Sequence, residues 1–556
     1  MSLPPQSPLQ RWRQGTLAPF QHRVFATFWW AALVSSFGSL IQTVGASWQM
    51  ATITDSPDMV AWVQTAGALP FFFLSLLAGA FADTHDRRIV MLVSQGVMLV
   101  ASAALAGIAL ADAVTPGLLL LFTFLIGCGT AAFAPAWQAS IGEQVPRDQV
   151  PSAIMANAFG FNIARSVGPA IGGVIVAALG AAAAFVINTV SYLGMLAALL
   201  WWRPKRETST LPREPLGSAV AAGIRYVWLS PHLVAILLRC LLFTVPLTAV
   251  PALMPIVARD LLAGGAQTYG VLLGGFGFGA MAGALSSGAL RARFTSDTML
   301  RGLCAVASLA MFAIAYSRWA PLTLFAHLVA GFVWTLGLAT FNIAVQMSSP
   351  RWVTGRTLAM YQTFAFAGMA AGAWIAGHLA TDLGVRTALA IGGLAALATF
   401  LVARWLPVSV ARLGSLDPHI VTDIQPPAVE LDGSTGPVVV TLEYRVPGEN
   451  AEAFAAEINE LGRIRQRDGA RAWSVSQDID DPLLWVERFE SPTWSDYLRR
   501  HTRPTLADQA VRQRIAQLIE GERGLVRRFV GRPAGAEPLG DRTSRPEPVD
   551  HTPGHG

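Results

Sequence analysis

Arg165 is the residue whose type and place demand the most of this chain. It lies in NIARSVGPAIGGVI, Asn162 to Ile175, within an apolar run that begins near residue 153. At 1.5 Å per residue that puts the guanidinium about 18 Å deep. A charge at such depth is expensive and functional by default. Asn162 and Pro169, at i−3 and i+4, share its helical face. The chemistry on offer is recognition of an anionic or carbonyl-rich substrate. The other account is a structural arginine that donates to the carbonyls of a neighbouring helix.

A second polar face runs through the first apolar stretch. Ser35, Gly38, Ser39, Gln42 and Gln49 recur at spacings of three, four and seven, among aromatic and aliphatic residues. This stripe is expected to face a water-filled path, with helix packing as the alternative for the serines and Gly38. Arg239 lies about 10 Å from the near end of its run. It either snorkels to that surface or faces a cavity. Asn342 and Gln346 are further candidates. Trp29, Trp30, Trp48 and Trp137 sit towards run ends, as an interfacial belt would. No Asp or Glu falls in the middle of any apolar run. His327 and His378 fall towards the outer ends, so no proton carrier announces itself.

The elements that must position these groups are membrane helices. Of the 556 residues 53% are hydrophobic and 13% charged, about half the charge of a soluble protein, and mean hydropathy is +0.46. Each crossing needs about 20 mostly apolar residues. Twelve runs qualify: 24–49, 59–82, 90–111, 117–139, 153–178, 181–202, 233–258, 267–290, 298–317, 320–346, 358–380 and 386–407. With the N-terminus inside, cytoplasmic segments carry 18 Arg and Lys residues and the outer loops only Arg259, Arg318 and Arg386. That imbalance places both termini in the cytoplasm. The segment 203–231 splits the spans into two halves of six, the layout of many secondary transporters. Cys128, Cys240 and Cys304 each lie in an apolar run and read as packing residues. No phosphate loop of the GxxxxGK[ST] type occurs, so energy comes from an ion gradient or another protein. Residues 1–20 contain no apolar core of a signal peptide.

Between the second and third runs stands AGAFADTHDRRIVML, Ala78 to Leu92. It resembles the cytoplasmic loop signature of the major facilitator superfamily, G-x-x-x-D-R-x-G-R-R. Gly79, Asp83, Arg87 and Arg88 match; Thr84 and Asp86 depart from it. The fifth run is similar to the family's exporter-associated signature g-x-x-x-G-P-x-x-G-G. There Gly168, Pro169, Gly172 and Gly173 match and Ala164 replaces the first glycine. The resemblance implies gating roles for these eight residues: Asp83 as a conformational latch, the small residues as close helix contacts, Pro169 as a bend. The stretch Ser140 to Gly173 resembles the branch holding the enterobactin exporter and the transmembrane secretion effectors. That branch implies proton-driven export of siderophores or other small organic molecules, with no cofactor or metal.

After residue 413 the chain turns polar. VVVTLEYRV, Val438 to Val446, alternates as a strand does. An amphipathic helix, two further strands, a capped helix SPTWSDYLRRHT, another helix and the strand LVRRFV follow. The β-α-β-β-α-β order predicts a ferredoxin-like domain. It resembles domains of the antibiotic-biosynthesis monooxygenase type, which implies dimerisation through the sheet. Trp473, Trp485, Trp494, Tyr497 and His501 read as core aromatics and one surface histidine, not as a catalytic set.

The expectation is therefore an all-α polytopic membrane protein with twelve transmembrane helices in two halves, plus a small α+β domain. Its parts are an N-terminal tail (1–22), halves at 23–202 and 232–410 joined by the loop 203–231, a linker (411–435), the α+β domain (436–533) and a disordered tail (534–556). Its partners are a small-molecule substrate and the lipid bilayer, with no nucleic acid. The expected function is export across a bacterial inner membrane by alternating access. Import by the same fold, or an enzyme tail that modifies the cargo, are the alternatives.

Overall fold

The computed structural model describes residues 18–84, 86–146, 149–203, 216–350, 352–408, 427–429, 431–501, 503–521, 526–532 and 535, excepting the side chains of 75–84, 151, 158, 162, 166, 216, 218 and 219. The chain forms two compact units. One holds residues up to 220 with 232–346 and 355–410; the other gathers 221–231 and 347–354 with the chain after 410.

The first unit is helical throughout. Its N-terminal part contains α1 (Arg23–Ile53), α2 (Pro57–Thr84), α3 (Arg87–Leu110), α4 (Pro116–Gln144) and α5 (Val150–Trp201). After α6 (Leu216–Trp228) come α7 (Pro231–Leu247), α8 (Ala249–Ile256), α9 (Ala266–Arg293), α10 (Ser296–Tyr316), α11 (Ala320–Met347), α12 (Thr354–Leu383) and α13 (Val385–Val402). Among the described residues, ten helical stretches are long and apolar enough to cross a membrane. Helices are the form that satisfies every backbone group internally where no water is available. Their starts are capped as the sequence dictates. Asp86 accepts from the amide of Arg88, Thr115 from Leu118 and Thr295 from Thr298.

Two runs expected as separate spans, 153–178 and 181–202, join without a loop. The 52 residues of α5 are two helices joined end to end across a kink. The break falls at Gly180, whose φ of +78° is left-handed and suits glycine alone. The seventh run is also subdivided: α7 passes into α8, which ends in a π-helical turn, Val257–Leu261.

In the second unit, β1 (Val438–Arg445), α14 (Ala451–Arg467), β2 (Arg471–Gln477), β3 (Leu484–Ser491), α15 (Trp494–His501), α16 (Leu506–Leu518) and β4 (Val526–Val530) follow in order. The sheet is antiparallel in the order β2-β3-β1-β4. Val438, Val440 and Tyr444 alternate into the core, where Tyr444 packs with Phe454, Ile458 and Leu461 of α14 and Val511 and Ile515 of α16, and Val438 and Val440 pack with Phe489, Trp494 and Tyr497. Residues 221–231 and 347–354 join this unit through a stack of rings and guanidinium groups. Arg503 lies 4.4 Å over Trp352, Arg467 lies 5.1 Å over Tyr226, and the two rings meet edge-on at 5.5 Å. Arg503 also donates to the carbonyl of Asp468 at 2.5 Å.

Candidate functional site

Within the first unit, helices of the two sequence halves meet along two seams. On the first, α2 and α12 run antiparallel. The Asp58 amide donates to Thr381 Oγ1 at 3.2 Å, Thr65 Oγ1 donates to the Ala370 carbonyl at 3.2 Å, and Phe71 stacks on Phe366 at 4.2 Å. On the second, α5 meets α9. A Cβ built on Gly270 would lie 2.6 Å from Gly173 Cα, and one on Gly274 would lie 3.1 Å from Ala170 Cβ. Only glycine permits the first approach. Trp48 stacks on Tyr269 at 6.0 Å, and Arg259 donates to the Ala51 carbonyl at 2.5 Å, on the same end of the bundle.

Arg165 and Tyr361 lie just past the ends of these seams. Arg165 is five residues beyond Ala170 on α5, and Tyr361 is five residues beyond Phe366 on α12. Each is therefore about 7 Å further along its helix than the last interhelical contact of its seam. Arg165 is partly exposed, and no hydrogen bond or ion pair engages it among the described residues. Tyr361 is buried and donates to the Leu338 carbonyl at 2.9 Å, which leaves its oxygen free to accept. Asn162 is on the same helix, but its side chain lies outside the described residues. Asn342 and Gln346 bond to each other at 2.5 Å on α11. Tyr361 went unnoticed in sequence because a tyrosine in YQTFAFAG carries no signal by itself.

The polar stripe of α1 does not face a water-filled path. Gln42 is buried; its Oε1 accepts from Ser102 of α3 at 2.8 Å and from Asn188 of α5 at 2.5 Å. Ser39 meets the Tyr192 hydroxyl at 3.3 Å. These bonds stitch α1, α3 and α5 together inside the N-terminal half.

Arg239 is likewise no cavity residue. Its exposure is 1%, and it donates to Asp297 at 3.1 Å and to the carbonyls of Ala403 and Leu406 at 3.2 and 2.9 Å. It fastens α7 to the start of α10 and to the chain leaving α13. Asp297 also accepts from the Val408 amide at 3.1 Å.

At the turn between α2 and α3 the side chains of Gly79 and Asp83 lie outside the described residues. Arg87 pairs with Glu143 of α4 at 2.7 Å, and Arg88 donates to the Leu199 and Leu200 carbonyls at 2.8 and 2.9 Å. Both arginines therefore tie α3 to its neighbours within one half. Of the fifth-helix motif, Gly168 and Gly172 face Leu40, Ile41 and Val44 of α1, with an added Cβ at 3.1–3.2 Å, while Gly173 faces α9. Pro169 is buried on the same helix. One motif thus serves both packing within a half and contact between halves.

The sequence profile of the transmembrane secretion effectors matches residues 14–533. The chain belongs to this family of major facilitator transporters. Among relatives of the family, the chain is similar to the multidrug efflux pump Tap of Mycolicibacterium fortuitum, with 28% identity over 70% of this chain and 95% of that protein. It is also similar to the staphyloferrin A transporter of Staphylococcus aureus, with 23% identity over 44% of this chain and 62% of that one. In fold it is similar to a bacterial homologue of the human lysosomal transporter Spinster in an inward-facing state (TM-score 0.55, 15% identity, 70% of this chain and 98% of that one). An autoinhibited POT-family peptide transporter gives a TM-score of 0.57 at 12% identity, over 73% and 99% of the two chains. The chain is a multi-pass membrane transporter of small molecules.

This family member also carries the α+β unit, whose striking aromatics are used up in its interior. Glu487 is wholly buried and accepts from Arg465 at 2.9 and 3.0 Å, Trp473 at 2.9 Å and Tyr444 at 2.9 Å. Burial alone would raise its carboxyl, but the charge and hydrogen bonds of Arg465 outweigh that and hold it below the usual range. Trp494 stacks on Tyr497 at 5.0 Å, and Tyr497 meets His501 at 4.5 Å. Arg500 sits 4.1 Å over Phe489; burial first, then the charge of Arg465, bring it down to about 9. Among the described residues no group of His, Cys, Asp and Glu is arranged to hold a metal.

Proposed function

We propose that this transporter exports a small organic molecule, siderophore-like or drug-like, from the cytoplasm of a bacterium by alternating access. The carrying observation is the pair of seams that seal one end of the bundle while Arg165 stays partly exposed beyond them. The positive-inside count assigns the sealed end to the outside, so the conformation is open to the cytoplasm, ready to load cargo. Arg165 is the substrate contact in this reading, and Gly173, with Gly168, Pro169 and Gly172, belongs to the helix that gates the outer end. Asp83 acts as the cytoplasmic latch beside Gly79, Arg87 and Arg88. Twelve crossings follow when α5 counts as two and α2 as one, with both termini cytoplasmic in the inner membrane. The names of the Tap and staphyloferrin A relatives support cargo of drug or siderophore type. Proton coupling rests on family resemblance.

We read the C-terminal region, about 436–533, as a ferredoxin-like accessory domain of the monooxygenase-like type. Its β2-β3-β1-β4 order and the engagement of its aromatics around Glu487 favour a structural or regulatory role over catalysis. Export is tested in inverted membrane vesicles given dye or siderophore mixtures in the outer medium. Uptake that an uncoupler abolishes is expected; gradient-independent flux, or none from purified folded protein, overturns the reading.

A further inference from the structure

Resting on the exporter reading, the site's chemistry can be carried to the sign of the cargo's charge. Arg165 holds a full positive charge past the seams, partly exposed, with no hydrogen bond or ion pair among the described residues. The described carboxylates of the first unit (Asp55, Asp58, Asp86, Asp112, Glu143, Asp260, Asp297 and Asp382) all stand at helix ends or turns. Those near other arginines are spent: Glu143 on Arg87, Asp297 on Arg239, Asp260 on Arg259. An unpaired guanidinium away from bulk solvent is expensive, and its five donors form a fork that fits two oxygens.

We propose that the cargo presents an anionic head, a carboxylate or an equivalent pair of acidic oxygens, to Arg165, and that permanent organic cations are rejected. Seating the anion neutralises the guanidinium by a charge-assisted, two-pronged hydrogen bond. A cation in the same place meets like charge and finds no carboxylate wall, which discriminates by repulsion as well as by lost attraction. The aromatic pair Phe71 and Phe366, at the end of the neighbouring seam, offers an apolar ceiling for the body of such a molecule.

The test compares two xanthene dyes of like ring system and opposite charge, carboxyfluorescein and tetramethylrhodamine methyl ester. Binding to the full-length detergent-solubilised protein is read by fluorescence anisotropy. The wild-type protein is expected to bind the anion at least about tenfold more tightly than the cation. Arg165→Gln is expected to weaken the anion by about 30-fold or more, and Arg165→Lys to fall between. The wild-type ratio needs no variant, so a misfolded substitution does not obscure the answer. Tighter binding of the cation, no saturable binding of the anion, or unchanged anion affinity in folded Arg165→Gln each overturns the proposal. If binding follows the expectation but reconstituted vesicles show no gradient-driven flux, the head-group assignment stands and the exporter reading fails instead.

Discussion

Gly270→Ala offers a direct probe of the outer seam. A Cβ there would lie 2.6 Å from Gly173 Cα, against a carbon–carbon optimum of about 3.5–4.0 Å. The methyl group thus intrudes by about 1 Å on backbone, which has no rotamer to yield. Overpacking of this kind costs about 1–3 kcal/mol. That cost applies only while the seam is closed; when α5 and α9 part, the methyl group is free. At 1.4 kcal/mol per factor of ten, the closed form should lose roughly 5- to 150-fold in population relative to the outward-open form. Spin labels or a fluorophore pair across the outer ends of α5 and α9 would read the shift as a longer mean distance. Cysteine accessibility at the cytoplasmic ends should fall in parallel. Gly173→Ala should do the same, and Gly107→Ala, where an added Cβ meets nothing within 4 Å, should do neither. An unchanged distance distribution in a well-folded Gly270→Ala protein would refute the seam as a state-dependent contact.

Other expectations follow from the same contacts. Arg239→Gln removes the buried cation that joins Asp297 to the Ala403 and Leu406 carbonyls, while Arg301 stays 3.8 Å from Asp297, so it should destabilise the C-terminal half by about 1–3 kcal/mol, measured as a lower thermal midpoint in detergent. Arg87→Ala should cost less, about 1 kcal/mol, because its pair with Glu143 is half-exposed; a larger loss would point to a further role for Arg87. Glu487 has a folded pKa below its unfolded one, so its contribution is present above the unfolded carboxylate range and is lost as pH falls through the folded value. The stability gap between wild type and Glu487→Gln, followed through Trp473 fluorescence, should therefore close on acidification; a gap constant with pH contradicts the ion-pair account. Arg503→Ala removes the contact with Trp352 and the bond to the Asp468 carbonyl, and should raise hydrogen exchange in 221–231 and 347–354; unaltered exchange would show that this stack does not hold those segments.

Much of the architecture was legible in the chain because a bilayer imposes a simple code. Runs of about 20 apolar residues must be helices, and Arg-rich turns mark their ends. The runs 153–178 and 181–202 were separable by hydropathy, and the structure puts the kink between them at Gly180, whose φ is +78°. The alternation Val438–Val440–Tyr444 made β1 readable, and the pattern of the tail predicted each later strand. The site was only partly legible. Arg165 stood out because charge at depth is rare. That it makes no hydrogen bond or ion pair among the described residues could not be read, because pairing is decided by neighbours far along the chain.

The misread residues share one cause. Ser39, Gln42 and Arg239 have the side-chain types of a binding site, and a sequence records type and spacing along one helix. Whether a polar face turns to water or to another helix depends on the rotation of that helix against its neighbours. Here Asn188 and Ser102 approach Gln42, and Asp297 approaches Arg239, from helices far along the chain. By itself the sequence determined that the chain is built of membrane-spanning helices and which motifs mark the family, because those depend on local hydropathy and residue type. The tertiary structure alone decided which polar groups are engaged in packing and that Arg165 makes no hydrogen bond or ion pair among the described residues, because a partner is a property of three-dimensional neighbours.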